Sequence, residues 1–143
     1  KYTVTEEVKE RLADFAAGYA TEEETEETIR ALYDRTGYVI DTHTAVVSYV
    51  CCQYKKSEKD NGKYLVAATA SPYKFAKSVM AAIDGNYETA DEFELLEKLQ
   101  EVSGVEMPQA IKEILDADIL HDTECGVDQM ERTVRTILRS KEE

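Results

Sequence analysis

Helix-start and helix-stop signals recur along this chain, and they constrain its fold more than any other feature. Thr21 followed by Glu24 makes a capping box, and Glu22-Glu23-Glu24-Thr25-Glu26-Glu27 puts carboxylates at the positive end of a helix dipole. Ile29, Leu32 and Tyr33 form the apolar stripe of that helix, Arg30 and Arg35 suit its C-terminal end, and Gly37 stops it. Upstream, Thr3 to Glu6 is a further capping box, with Val8, Leu12, Phe15, Ala16 and Tyr19 at helical spacing up to Gly18. A third helix is expected over residues 42–56, capped by Asp41 or Thr42, with Val46, Val47, Val50, Cys51 and Tyr54 on one apolar face. Ser71-Pro72 starts a fourth, with Phe75, Val79, Ala82 and Ile83 inward, and Asp84-Gly85-Asn86 ends it. Thr89 to Glu92 opens a fifth carrying Phe93, Leu96, Leu99 and Val102, stopped by Ser103-Gly104. Pro108 starts a short sixth with Ile111, Ile114 and Leu115. The last carries Val127, Met130, Val134, Ile137 and Leu138, with Arg132, Arg135 and Arg139 towards its negative end.

Between the third and fourth helices, Asn61-Gly62 marks a turn, and Tyr64 to Ala68 is short and continuously apolar, the pattern of a strand covered on both faces. The chain is therefore expected to be predominantly α-helical, with about seven helices and one or two short strands, the second being residues 38–40. A lone buried strand needs hydrogen-bonding neighbours that this sequence does not supply. Together with a first residue, Lys1, that is not Met, this leads to the expectation of one domain over residues 1–143, cut from something longer.

Apolar residues make up 43 % of the 143, enough for a core, and only 2 Pro and 6 Gly argue against a loop-rich chain. A formal net charge of −13 opposes nucleic-acid binding, since a duplex repels such a surface. Cys51, Cys52 and Cys125 show no zinc spacing, and their number and placement fit a reducing compartment, so the cytoplasm is the expected location. No signal-peptide pattern or run of 18 apolar residues is found, and no membrane partner is expected.

Two junctions concentrate polar chemistry. Thr69 and Ser71 offer hydroxyls, and Lys74 a cation within one helical turn. Asp41, His43 and Thr44 sit at the mouth of the third helix. On spacing alone, Ser71 and Asp41 are helix caps, Lys74 is a solvated lysine and His43 is structural. His121 has no partner pattern and is given no role. No P-loop, dinucleotide fingerprint, activated nucleophile or metal-ligand spacing is present.

The same residues carry a resemblance. Gly37-Tyr38-Val39-Ile40-Asp41-Thr42-His43-Thr44-Ala45-Val46 resembles the GYxxDPHTAV segment of threonine synthases. Ala68-Thr69-Ala70-Ser71-Pro72-Tyr73-Lys74-Phe75 resembles their TAxPxKF segment, in a Ser-Pro-Tyr variant. The acidic helix before Gly37 and the closing stretch from Cys125 to Glu131 also fit. The resemblance covers nearly all of this chain but only the C-terminal third of that enzyme. Thr42 departs from the usual Pro, and Val47-Ser48 from the small residue that often follows Ala-Val.

The resemblance implies an α/β parent fold, the pyridoxal-phosphate fold type II shared with tryptophan synthase β chains. It also implies a lyase of threonine biosynthesis that converts O-phosphohomoserine and water to threonine and phosphate. The Schiff-base lysine of the family lies upstream of any residue here, so no catalytic residue is expected in the chain, no cofactor is expected to bind it alone, and Lys74 is not that lysine. Carried over, Thr69 faces the pyridine nitrogen of pyridoxal phosphate, Ser71 and Lys74 help bind the substrate phosphate, and Asp41, His43 and Thr44 line or brace the cleft. Expected partners are the missing N-terminal part of the polypeptide and a second copy joined through the exposed strand edge. Two alternatives stand beside this: a freestanding acidic helical interaction module, and a fragment of another fold-type II enzyme such as threonine dehydratase or a cysteine synthase relative.

Overall fold

Amphipathic helices hold together when their apolar stripes meet in a common interior, because burial rather than intrinsic propensity supplies most helical stability. The computed structural model describes residues 3–120 and 122–139; Lys1 and His121 lie outside them. Among the described residues the α-helices are α1 (Glu6–Arg11), α2 (Glu22–Thr36), α3 (Thr42–Glu58), α4 (Ala76–Ile83), α5 (Glu92–Ser103), α6 (Gln109–Leu115) and α7 (Met130–Arg139), with 3-10 turns at Pro72–Phe75, Gly85–Tyr87 and Val127–Gln129. The chain divides into two compact units, Lys1–Lys112 and Glu113–Glu143.

The core of the first unit centres on α4, which packs against both α2 and α5. Ile29 of α2, Ala76, Val79, Met80 and Ala82 of α4, and Leu95, Leu96 and Leu99 of α5 are buried there, joined by Val39, Ile40, Ala45, Tyr73 and Met107. Small alanines on α4 let neighbouring backbones approach closely. Arg30 of α2 donates from Nε to the carbonyl of Ala82 at 2.7 Å, satisfying one of the carbonyls that the end of α4 leaves open.

The start of α2 follows its sequence signals. Thr21 and Glu24 form the reciprocal capping box, and Gly37 closes the helix in the left-handed conformation at φ 70°. Glu24 has a second task, because its other carboxylate oxygen accepts from the Tyr49 hydroxyl of α3. That hydrogen bond holds the Glu24 carboxyl below the usual carboxylate range and pushes the Tyr49 phenol above its own.

Four expectations need correction. No β-strand occurs among the described residues, so neither an α/β layering nor a strand edge for self-association is found there. A strand exists through hydrogen bonds to its neighbour, and the backbone of residues 64–70 makes none among the described residues. Residues 38–40 are a connector that sends the Val39 and Ile40 side chains into the core. The first helix is shorter than its periodicity predicts. Thr5 rather than Thr3 caps it, accepting from Val8 N at 3.4 Å, and Phe15 and Tyr19 are 75 % and 82 % exposed beyond its end.

The cap of α5 is Asp91, whose Oδ1 accepts from Phe93 N and Glu94 N at 2.9 and 3.4 Å, not a Thr89–Glu92 box. A carboxylate placed directly before the first turn accepts from its free amides and suits the positive dipole end. The apolar stripe of α3 does not enter the core; Thr44 and Ala45 are its buried residues, while Val47 and Tyr54 are exposed.

In the second unit, the 3-10 turn leads into α7, where Glu131 pairs with Arg135 at 2.8 Å. Met130, Val134 and Leu138 are exposed within this unit.

Candidate functional site

At the mouth of α3, Asp41 has extended backbone, and its carboxylate replaces the partners that the first helical amides lack. Oδ1 accepts from His43 N at 2.9 Å and Thr44 N at 3.3 Å, and Oδ2 accepts from the Thr44 hydroxyl. Asp41 is 1 % exposed and Thr44 is buried. Both groups are thus committed to holding the turn, and only His43 presents its side chain outwards. Its Nδ1 lies 3.4 Å from Thr42 Oγ1 and 3.6 Å from Asp41 Oδ1.

At the second junction, Ser71 caps the 3-10 turn, its Oγ accepting from Tyr73 N at 3.3 Å. Pro72 at the first turn carries no amide to satisfy. Lys74 N donates to Ser71 O at 3.0 Å and closes the turn. Tyr73 points inward and is buried, with its hydroxyl donating to the carbonyl of Val105. That bond ties the turn to the loop after α5. Thr69 is exposed, and its hydroxyl makes no hydrogen bond among the described residues.

Phe75 joins the two junctions. Its ring lies 4.9 Å, centroid to centroid, from the His43 imidazole at a 41° tilt, and Lys74 Nζ stands 5.6 Å from the same centroid. The latter distance is within cation–π reach. The fold therefore brings His43, Phe75 and Lys74 into one polar, cation-bearing corner with Ser71 in the adjoining turn, while no hydrogen bond among the described residues links Thr69 to it. A cleft of about 230 Å³ lined by Thr42 includes none of the predicted site residues, and Glu22, Glu26 and Glu88 among its walls suit an anion poorly.

Two residues of this corner escape a reading by spacing. Phe75 reads as an inward core residue, yet it is the bridge; Tyr73 reads as nothing in particular, yet it is the anchor. A large aromatic directly after a helix-starting Pro is the one available signal for Tyr73, since the first residues of a capped turn are otherwise solvated. No group of three or more His, Cys, Asp and Glu converges on a metal-sized site among the described residues.

An all-helical unit whose two polar helix mouths meet across an aromatic ring is the class that this geometry defines. Residues 44–119, just over half of the chain, match the family described as threonine synthase, C-terminal, and the chain belongs to that family. It is also 33 % identical over 115 residues to the threonine synthase of Saccharomyces cerevisiae, a match covering 75 % of this chain and 22 % of the relative. The chain thus spans about a fifth of the length of that curated relative.

Proposed function

We propose that this chain is the C-terminal part of a pyridoxal-phosphate-dependent threonine synthase, a cytoplasmic lyase that converts O-phospho-L-homoserine and water to L-threonine and phosphate. The observation that carries this reading is that the family match, residues 44–119, takes in the whole second helix mouth and begins at Thr44 of the first, the two mouths that Phe75 joins into a cation-bearing corner. A dianionic phosphate is favoured beside the Lys74 ammonium, with the His43 imidazole exposed at the same corner, and Ser71 is positioned to donate through its hydroxyl. Asp41 and Thr44 brace that corner by fixing the backbone that carries His43.

The donor set fits one edge of the cofactor. Pyridoxal phosphate, when bound, supplies an electron sink, and a hydroxyl at its ring nitrogen sets how strongly that sink draws. Thr69, exposed and without a hydrogen bond of its own among the described residues, has the free hydroxyl such a contact takes. The lysine that binds the cofactor covalently belongs to the part of a threonine synthase outside this stretch, which makes the chain inactive by itself. The free state of Cys51, Cys52 and Cys125 supports the cytoplasmic location.

The test is to purify the whole polypeptide that carries this chain and supply it with pyridoxal phosphate and O-phosphohomoserine. Phosphate and threonine are expected in equal amounts, and Thr69→Val is expected to change the cofactor's absorbance and lower turnover. Absence of phosphate release overturns the reaction; an unchanged spectrum and turnover in Thr69→Val overturns the ring-nitrogen contact. The 143-residue chain alone, titrated with the cofactor, is expected to show no saturable lysine-bound absorbance.

A further inference from the structure

Phe75 stands where the 3-10 turn Pro72–Phe75 hands over to α4, and its side chain makes no capping hydrogen bond there. The ring is half-buried, packed against the core without being enclosed by it. Core packing therefore accounts for only part of its surface. The rest meets two groups that lie outside the core, the His43 imidazole at 4.9 Å and the Lys74 ammonium at 5.6 Å.

The ring is fixed by its neighbours in sequence. Tyr73 is buried and bonded through its hydroxyl to the Val105 carbonyl, and Lys74 N closes the turn on Ser71 O at 3.0 Å. On the other side, Ala76 is 1 % exposed. The two groups that the ring meets are held far less. The His43 side chain is 63 % exposed, and its polar neighbours, Thr42 Oγ1 at 3.4 Å and Asp41 Oδ1 at 3.6 Å, lie beyond ordinary hydrogen-bond length. Lys74 is exposed, and its ammonium forms no ion pair or hydrogen bond among the described residues. In a chain with 30 Asp and Glu against 17 Lys and Arg, that leaves a cation free of carboxylates for an outside anion.

A lysine stem is flexible and loses that freedom when its ammonium is engaged. An aromatic face within cation–π reach restricts the stem beforehand, and ordering before binding raises affinity because less freedom is lost when the anion arrives. We propose that Phe75 is a positioning residue, whose ring fixes the Lys74 ammonium and the His43 imidazole relative to each other so that a phosphate group meets a corner already formed. This rests on the proposed function in taking phosphate as the anion. Phe75 offers an anion no hydrogen bond, and its electron-rich face disfavours one, so it acts through its two neighbours.

The test uses the whole polypeptide that carries this chain, loaded with pyridoxal phosphate so that the cofactor's own phosphate site is filled. Inorganic phosphate is the probe, and its dissociation constant is measured by calorimetry for the parent, Phe75→Leu, Lys74→Met and the double variant. Phe75→Leu is expected to weaken binding about fivefold, although it removes no polar group. In the Lys74→Met background the same change is expected to weaken it less than about twofold, because the main group it positions is gone. Phe75→Met takes its place if Phe75→Leu does not fold. Phe75→Tyr, which keeps the ring, is expected to bind phosphate like the parent, and it decides the matter if Lys74→Met binds too weakly to titrate. Equal weakening in both backgrounds overturns the proposal, as it would mark a merely structural loss. So do unchanged affinity in Phe75→Leu, a Phe75→Tyr loss as large as that of Phe75→Leu, and a parent that binds no phosphate. Phosphate release from O-phosphohomoserine is measured on the same samples. Release with additive effects removes the role of Phe75 and keeps the reaction, and non-additive effects without release do the reverse.

Discussion

The apolar stripe of α4 and that of α3 look alike in sequence and end in opposite environments. Val79, Met80 and Ala82 of α4 are completely buried between two other helices, while Val47 and Tyr54 of α3 face an open groove. Periodicity reports that a face is suited to burial. It does not report what buries it, and α3 turns a different side, Thr44 and Ala45, into the core. The difference teaches that the first unit has one interior satisfied by its own helices and one apolar helix face left open among the described residues.

This contrast can be broken most directly in the core. Leu99→Ala is expected to cost about 2–5 kcal/mol, because it opens a cavity among residues that have no room to relax. Urea unfolding measures it, and a cost below ~1 kcal/mol would mean that the α2–α4–α5 interior is loosely packed. Asp41→Ala comes next, at about 1–3 kcal/mol, since it removes the acceptor for two helix amides and leaves the Thr44 hydroxyl without its partner. Asp41→Asn, which keeps one carbonyl oxygen, should recover part of that loss.

Tyr73→Phe keeps the ring and deletes the hydroxyl bonded to Val105, for an expected ~1 kcal/mol. Amide exchange at Lys74, whose N–H closes the same turn, is the more telling measurement and should quicken. On the open face, Leu65→Ala is expected to stay within about 0.5 kcal/mol of the parent, because nothing among the described residues covers that side chain. A larger loss would place Leu65 in an interior and remove the contrast with α4.

The smallest effect is a pH dependence at the α2–α3 link. The Glu24 carboxyl is lowered on folding, so its contribution is present above the ordinary carboxylate range and is lost as pH falls through the lowered value. The Tyr49 phenol is raised by the same bond, so its contribution holds below the ordinary tyrosine range and is lost as pH rises through the raised value. Tyr49 ring resonances followed across both limits should move at each end and stay flat between; a Glu24→Gln chain should lose the acidic step and keep its fold.

Much of the fold is legible because the capping chemistry is local. Thr21, Glu24 and Gly37 delimit α2, Asp41 opens α3 and Ser71-Pro72 opens the turn before α4, each through contacts within four residues. Where two caps compete, sequence misleads: Asp91 displaces Thr89, and Thr5 displaces Thr3, since a one- or two-residue shift keeps the pattern but changes which oxygen meets the free amides. The predicted strand of residues 64–68 fails for a different reason. Its composition suits a sheet, but a sheet is a relation between segments and no neighbour among the described residues is paired with it.

The candidate site divides in the same way. Asp41, His43, Thr44, Thr69, Ser71 and Lys74 are visible as polar residues at helix mouths, and the resemblance of their two segments supplies their chemistry. That Asp41 and Thr44 turn inward as braces while His43 and Lys74 meet over Phe75 depends on how α3 and α4 are set against each other. Thus the sequence by itself determined the limits of α2 and the starts of α3 and of the turn before α4, the acidic surface and the family, all through short-range hydrogen bonding, charge and motif. Only the tertiary structure decided which apolar stripe became core, which was left as a groove, and which polar residues became neighbours. Those outcomes depend on contacts between residues distant in the chain, which local spacing does not encode.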